Sequence, residues 1–278
     1  MSSTKPYRRC YRPMKGLINH FDDTAQYIVD REYALHAQRY IRGFLIIIDD
    51  LKNLFNYIEP SDECLRSYSH RIHEMFMRAC VEVEANFKAI LRENGYKKNK
   101  PNMVDYFLVD HTHHLSSYEV LLPIWDGFGR WVPFEKWRPY RGKQIKRGDF
   151  TPLEWYKAYN NSKHDRYQNF KEANFENLIK AVSGLLVLIT SQFKDIDVGS
   201  SELKVIGGGD GEFSYSIGGI FMVKYPTDWC DDEMYEFDWE KLKKDNHRFL
   251  NINFNEVENV VFLPPSTGPT PSKAPMPD

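Results

Sequence analysis

At 278 residues, with 42% hydrophobic and 27% charged side chains, the chain can bury a sizeable core, and this composition excludes a wholly disordered protein. A formal net charge of −2 excludes a global basic field, so any nucleic-acid contact has to come from a local patch. The longest apolar runs, 44–48 and 185–189, are far too short to span a bilayer, so no membrane partner is expected.

Cys10, Cys64, Cys80 and Cys230 form no CxxC pair and match no zinc spacing, which points to free thiols in a reducing, cytoplasmic compartment. Neither a metal nor a cofactor is expected. The first residues lead into charge rather than into an apolar run, unlike a signal peptide.

In chain order, residues 1–16 read as a basic, solvated extension interrupted by Pro6 and Pro13. A helical region follows over 22–58. Its second half repeats Phe44, Ile47, Ile48, Leu51, Leu54, Phe55 and Ile58 at helical spacing, and Gly43 marks a break or a close approach. After Pro60, Ser61 as N-cap with Asp62 and Glu63 in the first turn predicts a second long helix that ends at Asn94-Gly95. Its outer faces carry Glu74–Arg78 and Glu84–Lys88, both spaced i,i+4. Two apolar stripes so closely joined predict an antiparallel helical hairpin.

Residues 97–150 form a less regular insertion with a short helix over 102–108. His111-Thr112-His113-His114 has no ligand spacing and reads as a polar loop. A strand or a buried turn fits 118–125, and the tryptophan-rich 125–140 reads as a structured cover. The second basic stretch holds Arg138, Arg141, Lys143, Lys146 and Arg147. Thr151, Pro152 and Glu154 predict a capping box at the start of a helix over 152–165. The most hydrophobic helix, over 175–193, belongs at the centre of the bundle. Composition then shifts toward glycine and β-formers. Strands are expected at 203–206, 213–217, 219–225, 251–254 and 257–263, with a hairpin turn in the glycine run 207–211. The fold class is therefore mainly α. A helical domain over 17–194 carries the insertion 97–150, a small β-rich subdomain spans 195–263, and a proline-rich disordered tail spans 264–278.

Most of the chemistry lies in 155–166. On a helix Lys157, Asn160, Asn161 and His164 share one face, while Tyr156 and Tyr159 can turn to the core. An imidazole such as that of His164 exchanges protons near neutral pH. Lys163 and Arg166 can hold phosphate, and Asn160 can fix the imidazole or a ribose. This set suits metal-free cleavage of RNA by its own 2′-hydroxyl. It equally suits a polar helix end with local caps. Lys157 and Asn161, with a local cationic patch of Arg141, Lys143 and Lys146, are the expected RNA contacts.

The segments 22–94 and 175–193 flank a capped helix bearing Trp155, Tyr159, Asn160, Lys163, His164 and Arg166, with Phe170 beyond it. Together with Arg78-Ala79-Cys80-Val81-Glu82-Val83-Glu84, this pattern resembles the HEPN superfamily over roughly residues 20–194. The resemblance implies an antiparallel HEPN-like bundle, a homodimer, and a metal-independent endoribonuclease of the bacterial toxin or phage-defence type. His164 would be the acid/base, Asn160 the positioning amide, Lys163 and Arg166 the phosphate-binding cations, and Arg78 and Glu84 the supporting groups across the groove. In active members an arginine precedes the polar residue, whereas here that position holds Tyr159. Two alternatives stay open: a non-catalytic module that binds RNA, nucleotide or a protein partner, and an interaction scaffold built on 125–140.

Overall fold

A single helix, α6, organises the molecule, because from Ala181 to Phe193 every residue is buried. Its sequence carries no charge there and is apolar around most of its circumference, so it can be accommodated only with neighbours around it. A computed structural model describes residues 3–16, 25–196, 209–210 and 212–263. In chain order the elements are α1 (Ala37–Leu54), α2 (His70–Glu93), α3 (Met103–His113), β1 (Glu119–Leu121), β2 (Arg130–Trp131), α4 (Glu154–His164), α5 (Arg166–Asn169), α6 (Phe175–Phe193), β3 (Gly209–Asp210), β4 (Phe213–Tyr215), β5 (Met222–Lys224), α7 (Trp239–Leu242) and α8 (Phe254–Val261). The fold is mainly α with a small antiparallel sheet. No helix among the described residues is long and apolar enough to cross a membrane.

The expected helical hairpin is present in α1 and α2. Ile41, Phe44, Ile47, Ile48, Leu51 and Leu54 bury one face of α1. Gly43 lies within this helix, and a Cβ there would stand 3.2 Å from a carboxylate oxygen of Glu82, so it marks a close approach of α1 to α2. Helix α2 begins later than Ser61. Ser69 is its N-cap, accepting from the Ile72 amide at 3.1 Å. Asp62 is engaged elsewhere, by the Trp125 indole N–H at 2.8 Å and the Phe128 amide at 3.1 Å, and so pins the insertion to the α1–α2 connection. The far end is as expected, with Asn94 as C-cap and Gly95 at φ +80°.

Residues 3–16 are not a solvated extension. Arg9, Cys10 and Tyr11 are fully enclosed, and Arg12 nearly so. Arg9 ion-pairs with Glu93 (Nε to Oε2 2.8 Å), donates to Gln192 at 2.8 Å, and packs over the Tyr40 ring. Gln192 in turn donates to Asn86 at 3.0 Å, so one buried polar chain joins the N-terminal segment, α6 and α2. Arginines in a run need not be solvated when each guanidinium finds an acceptor and an aromatic face.

The described C-terminal strands do not form a separate β subdomain. The five strands make one antiparallel sheet in the order β2-β1-β5-β4-β3, so the insertion hairpin and the C-terminal hairpin share it. The central register pairs Val120 with Val223, both buried. The strands expected at 251–254 and 257–263 are not formed; helix α8 covers 254–261, started by Asn253 accepting from the Glu256 amide at 3.4 Å. The expected strand at 203–206 and the tail 264–278 lie outside the described residues. Within the glycine run only Gly209–Asp210 is described, as β3 rather than as the turn itself.

The histidine run is not a loop. His111 and His113 are on α3, whose start is a capping box of Asn102 and Asp105, and His114 ends it in the left-handed region at φ 53°. His113 is clamped between Thr112 and the Arg9 carbonyl at 2.8 Å each, while His111 contacts the Phe107 ring. Burial, with Arg141 and His114 adding to it, brings His111 down to about 4.

Candidate functional site

Helix α4 buries Trp155, Tyr156, Ala158, Tyr159 and Ser162; Tyr156 and Tyr159 meet α2 at Glu84 and Phe76, and Trp155 lies over Gly184 of α6. The capping box expected at its start is not formed. The helix begins at Glu154 behind Leu153, and Thr151 Oγ1 instead pairs with the Tyr140 hydroxyl at 2.6 Å. At its end Asp165 starts α5 by accepting from the Gln168 amide at 3.1 Å. The Asn169 side chain then donates back to the carbonyls of Asn161 (3.2 Å) and Asp165 (3.0 Å). These bonds fold α5 onto the end of α4 and fix the direction in which His164 and Arg166 leave the surface.

The buried side of α4 converges on Glu84. Tyr156 donates to it at 2.9 Å, Lys88 at 2.7 Å, and Lys163 Nζ stands 4.0 Å away. Burial acts to raise the Glu84 carboxyl, but the bonds from Lys88 and Tyr156 and the charge of Lys163 outweigh it and hold the group below its usual range. Tyr159 is itself buried, with its hydroxyl 3.3 Å from Lys163 Nζ and its ring under that ammonium. Burial and the nearby Glu84 push both tyrosine hydroxyls up, so each remains a neutral donor.

On the open side, Lys157, Lys163, His164 and Arg166 are exposed and Asn160 is half-buried. Asn160 and His164 lie one turn apart on the same face, as their spacing requires. Asn161 is committed to structure: its side chain donates to Glu172 at 2.9 Å, and its carbonyl receives Asn169. Arg78 does not support this face across the groove, because its guanidinium turns to Asp50 on α1. Glu74 correspondingly pairs with Arg71 at 3.0 Å rather than with Arg78. Arg141 is likewise engaged elsewhere, by Asp228 and by Ser116 Oγ at 3.1 Å. Lys143 and Lys146 are exposed on a loop tied to the end of α8 through the Ile145 amide and the Val261 carbonyl, 2.9 Å apart, not to α4.

The structure adds two histidines to the corner. His70 and His73, in the first turn of α2, both pack on Phe170, with centroids 4.8 and 5.6 Å apart. Burial lowers the His73 pKa, and the positive charge of Arg166 and then of His70 lowers it further, so the imidazole is neutral at neutral pH. Its Nε2 is enclosed without a hydrogen-bond partner among the described residues. The i,i+3 spacing of His70 and His73 is visible in the sequence, but only a helix that starts at His70 gives it meaning. Together these groups can hold an anionic oxygen and move a proton. Among the described residues no three His, Cys, Asp or Glu side chains converge as a metal site.

No family model, no curated protein and no solved structure matches the chain.

Proposed function

We propose that the chain is an RNA-directed protein of the bacterial toxin or phage-defence type, acting on single-stranded RNA where α4 and α5 meet the start of α2. One observation carries this reading. The side chains of His164 and Arg166 stand exposed at the α4–α5 junction without a hydrogen bond or ion pair among the described residues, and Arg166 is close enough to His73 to depress its pKa. Tyr167, at 90% exposed, and Tyr68, at 45%, offer ring faces on which bases can stack. In this reading the bundle is HEPN-like, and two copies pair so that both His164 side chains face one strand.

The chemistry is phosphodiester transesterification. An imidazole, with neutral His73 suited to the task, takes the proton of the 2′-hydroxyl as that oxygen attacks the adjacent phosphorus. Arg166 and Lys163 hold the non-bridging oxygens as negative charge builds on them. A protonated imidazole, His164, gives its proton to the departing 5′-oxygen. The products are a 2′,3′-cyclic phosphate and a free 5′-hydroxyl, and no metal enters the balance.

Tyr159 favours a second reading, in which RNA is bound and not cut. Its side chain is buried and faces Lys163, so the position that carries arginine in active HEPN proteins presents no charge to the surface. Incubation of the purified chain with mixed RNA in EDTA, beside His164→Ala and Arg166→Ala, separates the readings. Cleavage lost in either variant supports the ribonuclease. Intact RNA with salt-sensitive binding supports the binding module. Intact RNA without binding removes both.

A further inference from the structure

A pocket of about 670 Å³ opens where the last turn of α2 meets residues 96–101. Its wall carries five cationic side chains, Lys88, Arg92, Lys97, Lys98 and Lys100, and no acidic one. Two of these have partners: Lys88 donates to Glu84 at 2.7 Å and Lys98 to the buried Asp105 at 2.8 Å. The side chains of Arg92, Lys97 and Lys100 have no hydrogen bond or ion pair among the described residues. A helix C-terminus favours cations, which accounts for Arg92 in the last turn of α2. It does not account for three lysines on the following loop, gathered around a concavity of ligand size. Leu91, Tyr96 and Pro101 supply an apolar part of the lining. The Tyr96 hydroxyl is committed to Asp105 and Glu258, each at 3.0 Å, which fixes that side of the pocket.

We propose that this pocket binds a run of two or three phosphates. Arg92 presents a planar fork that matches paired phosphate oxygens, and Lys97 and Lys100 act as mobile point charges over the same anion. Mutual repulsion among these cations is relieved when the anion enters. The phosphate run belongs either to a free oligophosphate, such as a nucleoside polyphosphate, or to the backbone of a single RNA strand. The site does not depend on the RNA reading of the α4–α5 corner, since none of its cations belongs to that corner.

The test is calorimetric titration of the full chain with inorganic triphosphate, orthophosphate, a nucleoside triphosphate and a short oligoribonucleotide. Triphosphate should bind at least about tenfold more tightly than orthophosphate and should weaken as salt rises. The combined variant Arg92→Gln, Lys97→Gln, Lys100→Gln should lose about tenfold or more in triphosphate affinity, while Lys244→Gln keeps it. All three side chains are exposed and unpaired, so thermal unfolding of the variant should match the parent. Should it not, Lys100→Gln alone carries the comparison. A nucleoside triphosphate that binds as tightly as triphosphate, or more tightly, assigns the site to free oligophosphates. Tighter binding of the oligoribonucleotide, lost in the same variant, assigns it to RNA backbone. Absence of saturable triphosphate binding, or equal affinity in the variant and the parent, overturns the proposal.

Discussion

The Tyr156 hydroxyl on α4 donates to Glu84 Oε1 on α2 across 2.9 Å, and Lys88 holds the other oxygen of the same carboxylate at 2.7 Å. This contact sets the depth at which α4 lies on α2 and hence where His164 emerges. Tyr156→Phe keeps the ring and removes the donor. It should cost about 1–2 kcal/mol in urea unfolding, the range for a hydrogen bond to a charged group that is partly screened. The Glu84 carboxyl is depressed in the folded state, so its stabilisation is fully present above the unfolded value of about 4.3 and is lost as pH falls through the lower folded value. The difference between parent and Tyr156→Phe should therefore shrink on acidification. Superimposable unfolding curves at neutral pH would show that the bond contributes nothing.

Arg9 and Glu93 form an ion pair in which the arginine side chain is wholly enclosed and the carboxylate nearly so. Removing one partner leaves the other charged in a low-dielectric interior, which costs about 3–5 kcal/mol. Arg9→Met and Glu93→Leu should each destabilise the fold by that order. The double variant should recover much of the loss, because two apolar groups leave no charge stranded. A double variant that loses the sum of the single effects would falsify this account.

The helical core was legible because its signal is periodic and local. Ile47, Ile48, Leu51 and Leu54 on α1, and the run from Ala181 to Phe193 on α6, announce their burial through spacing alone. The start of α2 was not, since Ser61-Asp62-Glu63 satisfies the same local rules as Ser69, and only the distant Trp125 and Phe128 decide that Asp62 is used elsewhere. The burial of Arg9 and Arg12 rests on partners roughly a hundred to two hundred residues away, which no local pattern encodes. The same holds for Arg78 and Arg141, whose charges suggested a surface role and whose partners, Asp50 and Asp228, withdraw them from it. Within the site, the shared face of Asn160 and His164 followed from helical spacing. His70 and His73 required the true start of α2.

Gly127 sits at φ +126° beside the carboxylate of Asp62, and a Cβ there would lie 2.3 Å from Oδ2. No L side chain adopts this backbone readily, and the carboxylate cannot retreat without giving up the Trp125 and Phe128 donors. Gly127→Ala should therefore destabilise by about 2–3 kcal/mol, and more than Asp62→Ala, which loses the bonds but leaves the backbone unstrained. Thermal unfolding of the two variants checks the order, and a reversed order sinks the explanation.

His114 stacks on Trp229 with centroids 3.8 Å apart, and its Nδ1 and Nε2 stand 3.1 Å from Asp228 and 3.2 Å from Glu233. Two carboxylate acceptors at both nitrogens fit an imidazolium. Burial lowers the imidazole pKa, but the bonds to Asp228 and Glu233 outweigh burial and the opposing charge of Arg141, so the net shift is upward. The other charged groups around this centre are Arg12, whose guanidinium lies over the Trp229 ring, the buried Asp110 near Arg141, and His111, kept neutral by burial. A raised folded pKa means that the stabilisation is complete below the unfolded value of about 6.5 and is lost as pH rises through the folded one. Asp228 and Glu233 are depressed, so their share is present above ordinary carboxylate values and is lost only as pH falls through the lower folded ones. The clasp between α3 and residues 228–233 is thus strongest in mildly acidic solution. The melting temperature should decline as pH is raised from about 6 to about 9, and His114→Gln should flatten that decline while lowering stability at the acidic end of the range. A parent protein with no decline over that range, or a variant that declines as steeply, would show that His114 is neutral in the folded state, with Asp228 held by Arg141 and Ser117 and Glu233 by the Cys230 amide.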